Sequence, residues 1–279
     1  MKAAVVQMIS TPSVKENCQG IEKYLIQAKE AQVSLMVLPE NFAFMGYKDH
    51  DKLAIAEALG AGEIQALLSH YAKTYQLWIV AGTMPLRGRA ERVKSSCLVF
   101  DDRGVRVACY DKIHLFDVCV SPEESYQESL TIEGGQELVV VDTPVGKLGL
   151  SVCYDLRFPE LYRQLTVQGA ELFAVPSAFT AVTGAAHWEV LLRARAIENL
   201  SYVLAPNQGG RHGNGRETYG HSIIIDPWGT IVAEQPAGEG MITSVIDLDK
   251  LHGLRRQFPC NDHHVLSPSI LKMLGIASF

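Results

Sequence analysis

Apolar positions along the chain change period several times, and each change marks an element. KAAVVQMI (Lys2 to Ile9) is a continuous apolar run of strand length. In the following VKENCQGIEKYLIQAKEAQV, Val14, Ile21, Leu25 and Ala28 recur at helical spacing. SLMVLPE then reads as a second buried strand, closed by Pro39 and Glu40, so the start of the chain predicts a β-α-β unit. A helical region from about Leu53 to Tyr75 leads to LWIVAGTMP. Two strands follow, SSCLVFDD and VRVACYDKI, separated by a turn at Arg103-Gly104.

The second half repeats this order. GKLGLSVCY is a strand, RFPELYRQLTVQGA an amphipathic helix ended by Gly169, and AELFAVPS a strand closed by Pro176. AELFAVPS echoes VSLMVLPE in position and pattern, which implies two similar halves facing each other. The helix HWEVLLRARAIENL and the strand SYVLAPNQ come next, then YGHSIIIDPWGTIVAEQ as two strands around the turn Asp226-Pro227-Trp228-Gly229. No Pro/Gly/Ser linker divides residues 1–279, so one domain is expected. Two mostly buried sheets, each with helices on one face, predict an α/β four-layer α-β-β-α sandwich. A single doubly wound sheet is the alternative, and the late antiparallel hairpins speak against it.

Composition narrows the function classes. With 47% hydrophobic and 20% charged residues the chain has ample material for a core. A net charge of −6, with Lys and Arg dispersed, argues against a nucleic-acid partner. The opening MKAAVVQMISTPSVKEN is too short and poorly bounded for a signal peptide, and no apolar stretch approaches membrane-spanning length. We therefore expect no membrane association and a reducing, cytoplasmic setting. The six cysteines (Cys18, Cys97, Cys109, Cys119, Cys153, Cys260) show no C-x-x-C and no regular framework, so neither disulfides nor a metal cage is expected. CNDHH, Cys260 to His264, is read as a solvated loop.

In α/β folds functional groups collect at the carboxyl ends of strands. Three ionisable residues stand there: Glu40 after LMVLP, Lys112 after VRVACYD, and Cys153 after GLSV. Singly, each has an ordinary explanation. Glu40 suits a helix start, Lys112 a solvated surface, and Cys153 a small buried hydrophobe. Together they have a chemical logic. A thiol is mostly protonated at neutral pH and needs a base or a cation to become a nucleophile. Glu40 can take the proton and Lys112 can hold negative charge. SPEESYQES reads as a capping box, Ser121 to Glu124 with Pro122 at the first helical position, and places Glu128 close behind Lys112. Glu128 is either an orienting partner for Lys112 or an exposed helix carboxylate.

LPEN around Glu40, YDKIHLFD around Lys112 and SVCYDLRFPELY around Cys153 resemble, in order and spacing, the motifs of the carbon–nitrogen hydrolase (nitrilase) superfamily. The similarity extends over nearly the whole chain, and Glu128 in YQES matches a second glutamate often counted with the Glu-Lys-Cys set. The resemblance implies a four-layer sandwich, a homodimer or higher homo-oligomer, and no metal or organic cofactor. Tyr154-Asp155 after the cysteine is the amidase-like pattern, whereas nitrilases usually carry Trp-Glu there. PSAFTAVTGAAHWEVLLRARAIEN and GRHGNGRETYGHSIIIDPWGT are most similar to the deaminated glutathione amidase branch, with ω-amidases second. The partner so implied is a small-molecule amide.

On this reading Glu40 deprotonates Cys153, whose sulfur attacks the amide carbonyl, and Lys112 with the backbone N–H of Tyr154 holds the oxyanion. A thioester forms and is hydrolysed through the same carboxylate. Arg157, one helical turn past Cys153, would bind a substrate carboxylate, unless it pairs with Asp155 or Glu160. The resemblance adds Phe179 and Thr183 as pocket residues. GGRHGNGRETYGH (Gly209 to His221) lacks the Gly-Lys-Ser/Thr of a phosphate loop and is read as a lid or substrate-facing loop, with Arg211 and His212 meeting the distal part of the substrate. His187 and Trp188 are read as packing or interface residues. A cysteine enzyme with a histidine base is the competing class, and His114 is its one candidate.

Overall fold

The computed structural model describes residues 1–121 and 124–263. Pro122 and His264 lie outside them.

The first half contains β1 (Lys2–Gln7), α1 (Val14–Glu30), β2 (Leu35–Val37), α2 (Glu63–Tyr75), β3 (Trp78–Val80), β4 (Met84–Arg87), β5 (Val93–Phe100) and β6 (Arg106–Asp111). A hairpin, β7 (Asp117–Ser121) and β8 (Glu124–Gln127), leads to the second half. There β9 (Val140–Thr143), β10 (Gly146–Leu150), α3 (Pro159–Val167), β11 (Leu172–Ala174), α4 (Ala181–Asn199) and β12 (Tyr202–Ala205) are followed by a second hairpin, β13 (Gly209–Arg211) and β14 (Glu217–Tyr219). β15 (Ser222–Ile225), β16 (Ile231–Gln235), β17 (Gly240–Val245) and α5 (Leu248–Gln257) complete the described chain.

Each half builds a sheet around three parallel strands: β1, β2 and β3 in one, β10, β11 and β12 in the other. Antiparallel strands extend both, giving a seven-stranded sheet ordered β17-β1-β2-β3-β5-β4 with β6 on β5, and a six-stranded sheet ordered β16-β15-β12-β11-β10-β9. The echo between the two Pro-terminated segments is therefore real, since β2 and β11 are the central parallel strands of their sheets.

Burial on both faces explains why these strands read as continuous apolar runs. Along β1, Ala3 and Val5 face the sheet of the other half, in one core cluster with Leu148, Leu150 and Leu172. Ala4 and Val6 point the opposite way, into a core with Ile21, Leu25 and Ala28 of α1 and Ile64, Leu68 and Ala72 of α2. Leu161, Leu165, Trp188 and Leu192 of α3 and α4 cover the outer face of the second sheet. The result is the four-layer α-β-β-α sandwich.

Several elements differ from the sequence-based expectation, and the main differences have a physical cause. The helix expected from Leu53 begins only at Glu63, because Gly60 (φ 87°) and Gly62 (φ 144°) break it. The Glu57 carboxylate caps α2 instead, accepting the N–H of Ile64 at 2.6 Å. Around Pro122 the chain forms the β7–β8 hairpin where a capped helix was expected, with Val118 opposite Tyr126. α4 starts at Ala181, well before His187, with Thr180 as its N-cap accepting from Thr183 N–H at 3.2 Å. β17, absent from the sequence reading, crosses to the first sheet and pairs antiparallel with β1, joining the two halves. Among the described residues no helix is long and apolar enough to cross a membrane.

One glycine fixes the strand end that carries Glu40. Gly82 sits at φ 34° directly after β3, and a Cβ there would lie 1.8 Å from the carbonyl oxygen of Pro39. Gly82→Ala is expected to cost about 1–3 kcal/mol of stability or more, lowering Tm by about 2–4 °C per kcal/mol. Thermal unfolding followed by circular dichroism checks it, and an unchanged Tm would show that the Pro39 turn yields freely.

Candidate active site

Three strand ends meet in a single cavity of about 360 Å³, whose lining includes Glu40, Lys112, Glu128, Cys153, Tyr154, Arg157, Phe179 and Thr183. Glu40 follows β2, and its backbone carbonyl accepts from the buried Gln208 amide at 2.9 Å. Lys112 follows β6 and is 1% exposed. Its ammonium donates to Glu40 Oε1 at 2.9 Å and to both oxygens of Glu128 at 3.0 and 2.9 Å. Glu128 reaches it from the turn after β8, and its Oε2 also accepts the Phe116 N–H at 2.7 Å. Glu128 thus lies against Lys112, and a hairpin rather than a helix delivers it.

Cys153 begins a short 3₁₀ turn after β10 at φ 47°, a left-handed conformation unusual for a residue with a side chain. The turn is held by Asp155, which is fully buried. Its carboxylate accepts from Tyr110 Oη at 2.6 Å, Val152 N–H at 2.9 Å and His114 N–H at 3.0 Å. His114 Nδ1 lies 2.7 Å from the same carboxylate, and the imidazole stacks on Phe158 at 3.6 Å. Asp155 therefore ties the Lys112 loop to the Cys153 turn, and His114 belongs to that brace rather than to the cavity wall. Arg195, on the helix face read as structural, grips the turn from behind through two bonds to the Leu156 carbonyl, the shorter 2.7 Å.

The electrostatics follow from burial and from a surplus of carboxylate. Burial raises the Cys153 pKa most, and the Glu40 charge raises it further; Lys112 and the Ala178 N–H oppose this without reversing it. The thiol is therefore protonated at neutral pH. Burial works against the Lys112 charge, yet Glu128, Glu40 and Cys153 outweigh it and lift that pKa well above 10.5. Burial would likewise raise Glu128, but Lys112 and the Phe116 N–H bring it below 4.5.

The substrate-binding candidates fall on the wall of the same cavity. Arg157 pairs with neither Asp155 nor Glu160. Its guanidinium packs 5.3 Å from the Phe179 ring and 5.8 Å from that of Tyr154, with a nitrogen 3.2 Å from His187. Trp188 is packing, as expected, bonding to the His221 carbonyl at 2.7 Å and lying against Phe179. In the Gly209–His221 loop the expectation needs correction. Arg211 is exposed and does not line the cavity, and His212 is buried in the fold, bonded to Ser10 O and Thr218 Oγ1. From that hairpin Asn214 and Arg216 line the cavity instead. Lys52, in a short 3₁₀ turn (Asp49–Leu53) just before the segment expected as helix, also lines it and makes no ion pair with any described residue. None of the three carries a periodic or strand-end signal; Asn214 and Arg216 lie in the loop read as substrate-facing, but nothing singled them out within it.

The family model for carbon-nitrogen hydrolases matches residues 2–256. The chain belongs to that family. Within this carbon–nitrogen hydrolase family it is 44% identical over 267 residues to the deaminated glutathione amidase of Synechocystis, covering 94% of this chain and 97% of the relative. It is 40% identical over 277 residues to the human deaminated glutathione amidase, covering 98% and 84%. Among solved structures it resembles the C. elegans NitFhit protein with a TM-score of 0.88 and 38% identity, over 95% of this chain and 65% of that longer one.

Removing the ammonium tests how much the carboxylates depend on it. The Glu128 contribution to stability is present above its unfolded pKa of 4.5 and is lost as pH falls through the lower folded value. In Lys112→Met, desolvation and repulsion from Glu40 push the Glu128 pKa up, so the variant loses stability as pH rises above 4.5. The gap to wild type in urea unfolding is expected to reach about 3–5 kcal/mol near pH 7 and to narrow toward pH 4. A gap independent of pH would mean that the ion cluster is not what stabilises this corner.

Proposed function

We propose that the protein is a cysteine-dependent amidase that hydrolyses deaminated glutathione to α-ketoglutarate and cysteinylglycine. Cys153 is the nucleophile, Glu40 the proton carrier, Lys112 the oxyanion partner, and Glu128 the group that positions Lys112. One observation carries this reading: a cysteine on a strained turn shares a cavity with a buried ammonium clamped between two carboxylates. The substrate is supported by the names of the Synechocystis and human relatives. These do not favour the ω-amidase reading, in which α-ketoglutaramate is the substrate.

Because the free thiol is protonated, its proton must leave as the C–S bond forms. The sulfur attacks the amide carbonyl while Glu40 accepts the thiol proton. Glu40 as an acid and Lys112 as a cation then face the tetrahedral oxyanion together. Tyr154 is second in the turn, where a 3₁₀ turn leaves its N–H groups without internal acceptors, and its N–H is the second oxyanion donor. Glu40 protonates the departing amine, the thioester remains on Cys153, and the same carboxylate takes a proton from the incoming water. Arg157 receives the α-keto acid carboxylate of the acyl half, with Phe179 and Thr183 beside it. No described carboxylate competes for that guanidinium.

We propose further that the chain works as a single catalytic unit within a homodimer or higher homo-oligomer in a reducing, cytoplasmic compartment. Six free cysteines suit such a setting. Val182, Val190 and Ile197 leave apolar side chains exposed on the outer face of α4, and covering that face would favour assembly.

Release of α-ketoglutarate from deaminated glutathione, measured beside α-ketoglutaramate, tests the substrate. The former is expected to give the higher kcat/KM, Cys153→Ala to be inactive, and Lys112→Ala to lose about a hundredfold to a thousandfold in kcat. Full turnover by Cys153→Ala would falsify the assignment. For the assembly, Val190→Asp is expected to lower the molar mass seen by light scattering, and an unchanged mass would remove α4 from the interface.

A further inference from the structure

Among the described residues, a single buried side-chain nitrogen or oxygen lacks a hydrogen-bond partner: Nε of Arg216. Such orphans are rare in folded proteins and call for an explanation, because a desolvated donor without an acceptor costs stability. Arg216 is not loosely placed. Its backbone N–H donates to Asn214 Oδ1 at 3.0 Å, its Nη2 donates to the Ala178 carbonyl at 2.6 Å, and its guanidinium lies 5.1 Å from the Tyr126 ring centre. A ring engages the face of a guanidinium and leaves the edge free. Nε thus stands with no acceptor among the described residues, on a side chain that no described carboxylate neutralises and that lines the cavity of Cys153.

Position adds a direction. The N–H of Ala178 faces the Cys153 sulfur, and the carbonyl of the same residue holds Arg216. One residue therefore separates nucleophile from guanidinium, a span of roughly 9 Å from ordinary bond and hydrogen-bond lengths. Two residues of extended peptide cover roughly 7 Å. Arg157, by contrast, follows Cys153 on its own turn and packs on Phe179. Arg216 comes from the β13–β14 hairpin, whose neighbouring Asn214 and Gly215 are exposed, on the side by which a leaving group can depart.

We propose that Arg216 is a second carboxylate receptor, which binds the C-terminal carboxylate of a dipeptide leaving amine. This deepens the amidase reading and rests on it. The site then recognises an amide with a carboxylate at each end, Arg157 reading the acyl half and Arg216 the amine half. Lys52 is the rival cation on this wall, but burial lowers its pKa in spite of the nearby Glu128, Asp49 and Glu40 charges, whereas a guanidinium stays charged. The Arg216 fork is pre-set by Ala178 and Tyr126 and has no such neighbours.

The test uses the full-length chain and three substrates: deaminated glutathione, the same compound with its glycine carboxylate converted to an amide, and α-ketoglutaramate, whose leaving group is ammonia. In wild type, amidating the glycine carboxylate is expected to lower kcat/KM about tenfold to a hundredfold, mostly through KM. Arg216→Met should cost about as much on deaminated glutathione and add little further loss on the amidated form. The ratio of its kcat/KM for deaminated glutathione to that for α-ketoglutaramate should fall by the same factor, whereas Arg157→Met should depress both substrates together. Equal losses on the two substrates in Arg216→Met overturn the inference, and so does a wild type indifferent to the amidation, a result that needs no variant to fold. A wild type that hydrolyses none of the three would instead sink the amidase reading, and this inference with it.

Discussion

The site depends on one buried ammonium. Lys112 lies in a dry corner where a lone cation would be costly, and it is kept there because Glu40 and Glu128 flank it at hydrogen-bonding distance. Each partner would be unfavourable alone, since a carboxylate in the same corner without the ammonium would take up a proton. The three groups are affordable only as a set, and that requirement fixes where three separate stretches of chain must end: β2 at Glu40, β6 at Lys112, and the turn after β8 at Glu128. Buried charge is weak evidence for stability, because a well-packed apolar trio could fill the same space. Its retention points to chemistry.

The charge count of the cluster also shapes the proposed reaction. Two carboxylates and one ammonium leave a net negative charge beside Cys153, and burial raises the thiol pKa in the same direction. A preformed thiolate is therefore disfavoured, unlike the cysteine of an enzyme whose thiolate is stabilised by an imidazolium. Once Glu40 holds the thiol proton the balance changes. The local charge excluding the sulfur becomes neutral, and Lys112 is free to meet negative charge developing on the substrate. Nucleophile activation and oxyanion stabilisation thus draw on the same proton transfer, which suits a site that must stay unreactive until an amide is bound.

Much of this was legible in the sequence, for a physical reason. Strands buried on both faces leave unbroken apolar runs, and the residue that ends such a run stands out, which is how Glu40, Lys112 and Cys153 are found. Glu128 was placed near Lys112 but on the wrong element, since Ser121, Pro122 and Glu124 mimic a helix start while the segment pairs as β7 with β8. β17 escaped notice because its partner, β1, lies at the other end of the chain and its residues show no clean alternation of burial. Asp155, fully buried, reads in sequence as an ion-pair partner for Arg157. Its role as a brace is visible only once Tyr110, His114 and Val152 converge on it.

The cavity residues that the sequence did not single out, Lys52 and Arg216, share a cause that bears on how such a cavity divides its work. Strand ends are held on several sides at once. Glu40 is pinned by Gly82 and Gln208, Cys153 by Asp155 and Arg195, so their positions follow from the sheets and tolerate little change. The walls are set otherwise, by the 3₁₀ turn around Lys52 and by the β13–β14 hairpin, where a few local bonds place a long side chain and exposed backbone accepts substitution. Reactive groups on the first kind of support and recognition groups on the second can vary independently. A change in the hairpin can alter which amine is accepted while the charged trio keeps its own supports, and Ala178 stands between the two sides, its N–H turned to the sulfur and its carbonyl to Arg216.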